Sequence, residues 1–188
     1  DYLELNSIIY NKYLSQNLIE YLKDKIDWKF LCENQRLREC LIRKYRNYVY
    51  WDNITRYQNL SISFIDEFKD RLDWYFISKK KNLKIFFLRK FKDYLKWDCV
   101  IYYNNFDENT LFEFSDYLNW NKVYECQTLS EDYIRKNKDI VKWDYISRYK
   151  KLSIDFLNEI KDYISWNKLS YELRNDEIIY QKFVDKIN

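Results

Sequence analysis

Apolar and polar positions recur along this chain with a period of 23 residues. The chain contains seven tryptophans, and all of them keep that interval without insertion or deletion: Trp28, Trp51, Trp74, Trp97, Trp120, Trp143 and Trp166. With each tryptophan as slot 1, slots 4, 10, 15 and 22 are aliphatic in nearly every copy, and slot 20 is always Asp or Asn. A fixed period of this length is typical of tandem repeat proteins.

The chain is predicted to be a single helical-repeat array over residues 1–188. Its eight copies lie at 5–27, 28–50, 51–73, 74–96, 97–119, 120–142, 143–165 and 166–188. Residues 1–4 match the end of one more copy, so we expect this array to be part of a longer chain.

The spacing within a copy predicts two short helices. Slots 1, 4 and 8 share one face of a first helix, helix A, expected over slots 2–9 with Asp or Asn at slot 2 as its N-cap. Slots 14, 15, 18 and 22 form the apolar face of a second helix, helix B, expected over slots 12–20. A slot-11 serine such as Ser61 suits the N-cap of helix B, whereas Arg38 and Lys84 do not. The Asp or Asn at slot 20 is expected to end helix B, in the left-handed conformation or by capping the next turn.

Helices this short are marginal in isolation, so neighbouring copies must stack to stabilise them. We therefore predict an all-α fold, an α-solenoid of eight 23-residue two-helix repeats, and the pattern leaves its handedness open. The tryptophans are expected to form a structural ladder in the core. An exposed aromatic binding face is the other interpretation.

Composition argues against catalysis. The chain has no Gly, which phosphate-binding loops require, and no His, the commonest general acid–base residue. Carboxylate pairs such as Asp66–Glu67 and Glu131–Asp132 fall on predicted polar faces, where solubility explains them. We expect no enzymatic activity, no catalytic residues and no cofactor.

The four cysteines are Cys32, Cys40, Cys99 and Cys126, and they occupy different slots without a CxxC pair. This predicts reduced thiols in an intracellular, reducing setting and no metal site. A disulfide between Cys32 and Cys40 stays open. No apolar run is long enough to span a membrane, and we expect no membrane partner.

Charge is concentrated in the middle of the array. Copy 4 has eight basic residues against one acidic residue, for a net charge of +7, copy 2 has +4, and copy 5 has −5. The basic candidates for partner binding are Lys79, Lys80, Lys81, Lys84, Arg89 and Lys90. Three interpretations are open: a solvated face, docking of an acidic protein surface, or binding of nucleic acid. The contrast between copies 4 and 5 also permits self-association.

Three tyrosines share slot 7: Tyr57, Tyr103 and Tyr149. Tyrosine suits interfaces because it is large, stiff and polar at its tip. These residues are candidates for partner binding, and the alternative is that they edge the core with the hydroxyl group in water.

The pattern W-(D/N)-x-I-S…L-S-x-x-F-(I/L) is clearest in WDNITRYQNLSISFI and WDYISRYKKLSIDFL. It resembles the short Trp-containing helical repeats of proteins encoded by giant DNA viruses of protists. The resemblance covers essentially the whole chain and implies a viral helical repeat protein, located in the host cytoplasm or the virion, without known catalytic residues.

The function predicted from these observations is that of a non-enzymatic protein–protein interaction scaffold, either a virion component or a binder of a host protein. The alternative is a nucleic-acid-binding helical-repeat array that uses the basic surface of copies 2 and 4.

Overall fold

The computed structural model describes residues 14–169 and 171–187, and helix A of copy 1 lies outside them. In this part of the chain every regular element is helical, which confirms the predicted all-α repeat fold. No helix in these ranges has the length and apolar character needed to cross a membrane. The chain divides into two compact units, residues 1–78 and 79–188, here called unit 1 and unit 2, and the division falls within copy 4.

Unit 1 contains short α-helices that alternate between the A and B positions of successive copies. Their bounds are Gln16–Leu22, Trp28–Asn34, Glu39–Lys44, Trp51–Tyr57, Ile62–Glu67 and Trp74–Ser78. The helices A of copies 2, 3 and 4 pack side by side. The core of this unit lies between the two layers of helices and includes Leu31, Ile42 and Ile54, none of which is accessible to solvent.

Unit 2 continues the same alternation. Its α-helices are Ile85–Phe91, Trp97–Tyr103, Glu108–Glu113, Trp120–Cys126, Glu131–Lys136, Trp143–Tyr149, Ile154–Glu159, Tyr171–Arg174 and Glu177–Ile187, with 3-10 turns at Ser115–Tyr117 and Trp166–Lys168. The helices A of copies 5 to 7 and the Trp166–Lys168 turn of copy 8 again pack in sequence. The last helix has a kink at Phe183.

Helix A begins one residue earlier than predicted. It starts at the tryptophan itself and spans slots 1–7 in copies 2, 3, 5, 6 and 7, for example Trp51–Tyr57. The slot-2 residues, such as Asp52, therefore lie in the first turn, and their prediction as N-caps is wrong. The residue before the tryptophan takes the cap position, and Asp27 accepts a hydrogen bond there from the backbone N–H of Phe30 at 3.1 Å.

Helix B ends earlier than predicted, at slot 17 or 18 in copies 1 to 7. The predicted N-caps are confirmed: the Ser61 side chain accepts from the N–H of Phe64, and Arg38 and Lys84 form no side-chain cap. Slots 18–21 form tight turns, as in the 2.9 Å bond from the N–H of Arg71 to the carbonyl oxygen of Phe68. Across the described ranges, the positive-φ residue is Asn82 at slot 9, so the left-handed cap at slot 20 is wrong.

Tryptophan side chains stabilise the turn that follows helix B. Trp28, Trp74, Trp97 and Trp166 are buried, and Trp51, Trp120 and Trp143 are half-buried. The indole N–H of Trp97 donates to the carbonyl oxygen of Lys92 at 2.9 Å, and Trp28 and Trp166 make the equivalent bond five residues back. The ring also stacks within its own copy, with centroids 4.8 Å apart for Trp97 and Phe114. A tryptophan bonded in this way supplies apolar packing and satisfies a turn carbonyl group that helix B leaves unbonded.

A second set of bonds joins adjacent copies through slot 8. The side-chain amide of Gln58 donates to the carbonyl oxygens of Cys32 at 2.7 Å and Gln35 at 2.8 Å in the preceding copy. Its oxygen accepts from the N–H of Leu37 at 2.8 Å. Asn104, Gln127 and Lys150 occupy the same slot in unit 2 and are also buried. These polar side chains close the loop between helices A and B of the copy before them.

The serine at slot 11 also links copies. The carboxylate of Glu131, at slot 12, accepts from the N–H of Ser153 at 2.6 Å and from its hydroxyl group at 3.0 Å in the following copy. Glu39 contacts Ser61 in the same way. A glutamate predicted to serve solubility is therefore part of the bonding between copies.

Candidate functional site

The structure places the predicted basic residues of copy 4 on three different elements. Lys79 and Lys80 follow the end of helix A and are half-buried. Lys81 and Lys84 are exposed in the loop between the helices. The remaining two residues, Arg89 and Lys90, are exposed on helix B.

Arg89 forms an ion pair within the chain. Its guanidinium group donates two hydrogen bonds to the carboxylate of Glu113 in copy 5, at 2.6 and 2.8 Å. This pair holds the pKa of Glu113 below its usual range. Arg43–Glu67 and Arg135–Glu159 repeat the arrangement from slot 16 of one copy to slot 17 of the next. Part of the positive charge of copy 4 and of the negative charge of copy 5 is therefore neutralised by an ion pair within one molecule.

Lys80 has a structural contact through its backbone. Its carbonyl oxygen accepts a hydrogen bond from the side-chain amide of Asn104 at 3.1 Å. Burial of the Lys80 side chain lowers the pKa of its ammonium group.

Lys79 and Tyr103 are brought together on the outward side of the helices A. The Lys79 ammonium nitrogen lies 5.3 Å from the Tyr103 ring centroid, and the Tyr103 ring meets Tyr102 edge-on at 5.0 Å. The ammonium nitrogen of Lys122, from copy 6, lies 5.4 Å from the Tyr102 ring centroid. Cation, ring, ring and cation thus form a continuous strip across three copies, and Tyr102 is 61% exposed.

Tyr149 lines a pocket further along the same side. The pocket lies between copies 7 and 8, has a volume of about 180 Å³ and is lined by Asp144, Tyr145, Arg148, Tyr149 and Lys168. The rings of Tyr145 and Tyr149 are 6.0 Å apart, and Tyr149 is 40% exposed. We call the outward residues of the helices A from Lys79 to Lys168 the first-helix surface of unit 2.

Tyr57 occupies the equivalent position in unit 1, and its surroundings differ. The guanidinium carbon of Arg56 lies 5.2 Å from the Tyr57 ring centroid and 5.1 Å from that of Phe76, at slot 3 of copy 4. At the corresponding place in unit 2, slot 3 of the next copy is Lys168, whose ammonium group bonds to Asp144. Phe76 of copy 4 therefore packs on the arginine of copy 3, whereas the equivalent residue next to copy 7 is the charged Lys168 of copy 8.

Four residues of this surface were missed by the sequence reasoning: Lys122, Tyr145, Arg148 and Lys168. They belong to slots 3 and 6, which share the outward side of helix A with slot 7. The helical periodicity of the sequence places these slots on one side of helix A. They were not identified because a charged residue on a short helix normally indicates a solvated face.

The cysteines add no further site. All four thiols are free, Cys32 is buried and Cys40 is exposed, so the disulfide between them is absent. Burial raises the pKa of the Cys32 thiol to about 11. The described ranges hold no group of three or more metal-ligating side chains.

These features define the class of the molecule as an all-α helical repeat protein whose copies are joined by buried amides, capping glutamates and arginine–glutamate pairs. No protein family, curated protein or solved structure matches the chain.

Proposed function

We propose that this protein is a non-enzymatic protein–protein interaction scaffold that binds its partner through the first-helix surface of unit 2. The observation that carries the proposal is the strip from Lys79 to Lys122 together with the pocket at Tyr149. Tyrosine and arginine are enriched where protein interfaces carry their binding energy. The bonds between copies hold the backbone beneath this surface, which lowers the entropic cost of binding.

The setting of this function is also a proposal. The repeated motif resembles repeats of giant DNA viruses, and it supports a role as a virion component or as a binder of a host protein inside the infected cell. Self-association is a further proposal, and Arg89 and Glu113 already satisfy each other in one chain. Self-association would therefore use other residues of copies 4 and 5, such as Lys81, Lys84 and Asp116.

One observation favours the alternative of nucleic-acid binding. The exposed Tyr102 ring next to the Lys122 ammonium group offers a base-stacking surface with a cation beside it. Against it, Arg43, Arg89 and Arg135 each pair with a glutamate of the next copy. This leaves fewer cations for a phosphate backbone, and we place protein binding first.

Affinity capture from infected-cell lysate, with and without nuclease, tests the proposal. A discrete protein that stays bound after nuclease treatment and is lost from the Lys79→Gln/Lys122→Gln variant supports it. The control variant is Lys136→Gln/Lys161→Gln, which removes two exposed charges away from the first-helix surface. Equal loss from both variants, or recovery of nucleic acid alone, would overturn it.

A further inference from the structure

The pocket between copies 7 and 8 has a definite chemistry. Two cations, Arg148 and Lys168, and one carboxylate, Asp144, line it, so its charged groups carry a net positive charge. The Asp144 carboxylate accepts hydrogen bonds from the ammonium group of Lys168 and the hydroxyl group of Ser165. Those bonds are the main cause of its lowered pKa, so it stays ionised and tied to these two groups.

The aromatic walls restrict what the pocket can hold. The ring centroids of Tyr145 and Tyr149 are 6.0 Å apart with the rings tilted by 33°, and the Arg148 guanidinium carbon lies 5.9 Å from the Tyr149 centroid. An acidic side chain suits this space because its methylene groups can contact the rings while its carboxylate meets Arg148. A fork of guanidinium N–H groups matches the two oxygens of a carboxylate.

The same slots in copy 3 show why the pocket is specific to copy 7. There Arg56 is stacked between Tyr57 and Phe76, and slot 3 of copy 3 is Asn53, whose amide donates to the Lys29 carbonyl oxygen at 3.1 Å. Copy 7 instead has Tyr145 at slot 3, and copy 8 has Lys168 where copy 4 has Phe76. The two copies share the Arg–Tyr pair, but copy 7 combines it with a second tyrosine on the same helix, Tyr145, and with a second cation, Lys168.

We infer that this pocket binds an acidic side chain, Asp or Glu, presented by an extended segment of the partner protein. The inference rests on the proposed scaffold function and names the chemistry of its partner. Charge complementarity selects the occupant: the lining has an excess of positive charge, and its arginine offers paired donors.

Titration of the ¹⁵N-labelled full chain with a short capped peptide tests the inference by NMR. The probe is Ac-Ser-Leu-Glu-Leu-Ser-NH₂, and its Gln counterpart and a short oligothymidylate are the comparison ligands. We expect saturable shifts at the amides of Arg148, Tyr149 and Lys168, and binding roughly tenfold weaker for the Gln peptide. Equal affinity for the two peptides, shifts confined to other regions, or tighter binding of the oligonucleotide would overturn the inference.

Matched variants complete the test. Arg148→Gln is expected to weaken binding of the Glu peptide by roughly tenfold, and Arg56→Gln, its counterpart in copy 3, to leave binding unchanged. If both variants bind like the unchanged chain, the pocket is not the site. A partner captured equally well by the Arg148→Gln variant would refute the pocket and leave the scaffold function standing, so the two proposals fail separately.

Discussion

The side-chain amide of Gln127 donates to the backbone carbonyl oxygen of Asn104 at 2.7 Å, across the boundary between copies 6 and 5. Asn104 in turn accepts from the N–H of Leu83 at 3.0 Å through its own side chain. The slot-8 side chain of copy 6 thus bonds to slot 8 of copy 5, and the slot-8 side chain of copy 5 bonds in turn to copy 4.

Gln127→Leu should destabilise the protein strongly although leucine has a similar size. It would leave the carbonyl oxygens of Ile101 and Asn104 and the N–H of Phe106 without their partner in a buried place. We expect a loss of about 2–4 kcal/mol in the free energy of unfolding, measured by urea denaturation. Thr128→Ala, at the neighbouring exposed position, is the control. A loss as small as that of the control would show that the amide bonds contribute little.

The tryptophans are expected to differ in their contribution. Trp97→Ala should cost about 3–5 kcal/mol, because it removes a buried ring and the donor to the Lys92 carbonyl oxygen. Trp143→Ala should cost less, since that ring is only half-buried. Thermal or urea unfolding of the two variants checks the order. Unchanged stability of the Trp97→Ala variant together with lost partner binding would contradict a core role.

Lys150 is the unusual member of the slot-8 set. The residue is 6% exposed, its side chain donates to the Gln127 carbonyl oxygen, and burial lowers its pKa to about 8. Because the folded-state pKa lies below the unfolded value of 10.5, the unfolded chain binds more protons between these values, and this group makes stability rise with pH across that window.

Lys150→Gln should therefore stabilise the protein near neutral pH, since an amide can make the bonds that Gln58 and Gln127 make. The advantage of the variant should shrink as the pH rises from about 8 toward 10.5. Urea midpoints of the two proteins at several pH values measure this difference. A stability gap that stays constant with pH would refute the assignment to Lys150.

Ser61→Ala should cost about 1 kcal/mol or somewhat more. The substitution removes the N-cap acceptor for the N–H of Phe64 and a hydroxyl donor to Glu39. Ser63→Ala is the matched control on the same helix, since Ser63 contacts the Ser61 hydroxyl group but caps no N–H. If both variants unfold at the same urea concentration, the cap does not stabilise helix B.

Arg89→Gln should reduce stability only slightly, because both partners of its ion pair with Glu113 are solvent-exposed. The small loss should shrink further with added salt, which screens exposed charges. Thermal unfolding at low and high salt is the measurement. A large, salt-independent loss would mean that this pair organises the contact between copies 4 and 5.

The candidate site was only partly predictable from the sequence. Tyr103, Tyr149 and Lys79 were identified from their slot and from the charge of copy 4, and the structure places them on the first-helix surface. Arg148 and Lys168 were not identified, because each looks like an ordinary solvated charge when read alone. The pocket they line joins two copies, and Lys168 bonds to Asp144, which lies 24 residues before it.

The sequence by itself determined the repeat, its two helices and the positions that face the core. Ile54 and Ile65, at slots 4 and 15, are buried as their periodicity requires, and Ser61 caps helix B because capping acts within three residues. Only the tertiary structure decided which groups satisfy the buried polar side chain at slot 8, as in Gln58. Its partners, Cys32 and Gln35, lie 26 and 23 residues away, and only the stacking of copies brings them within bonding distance.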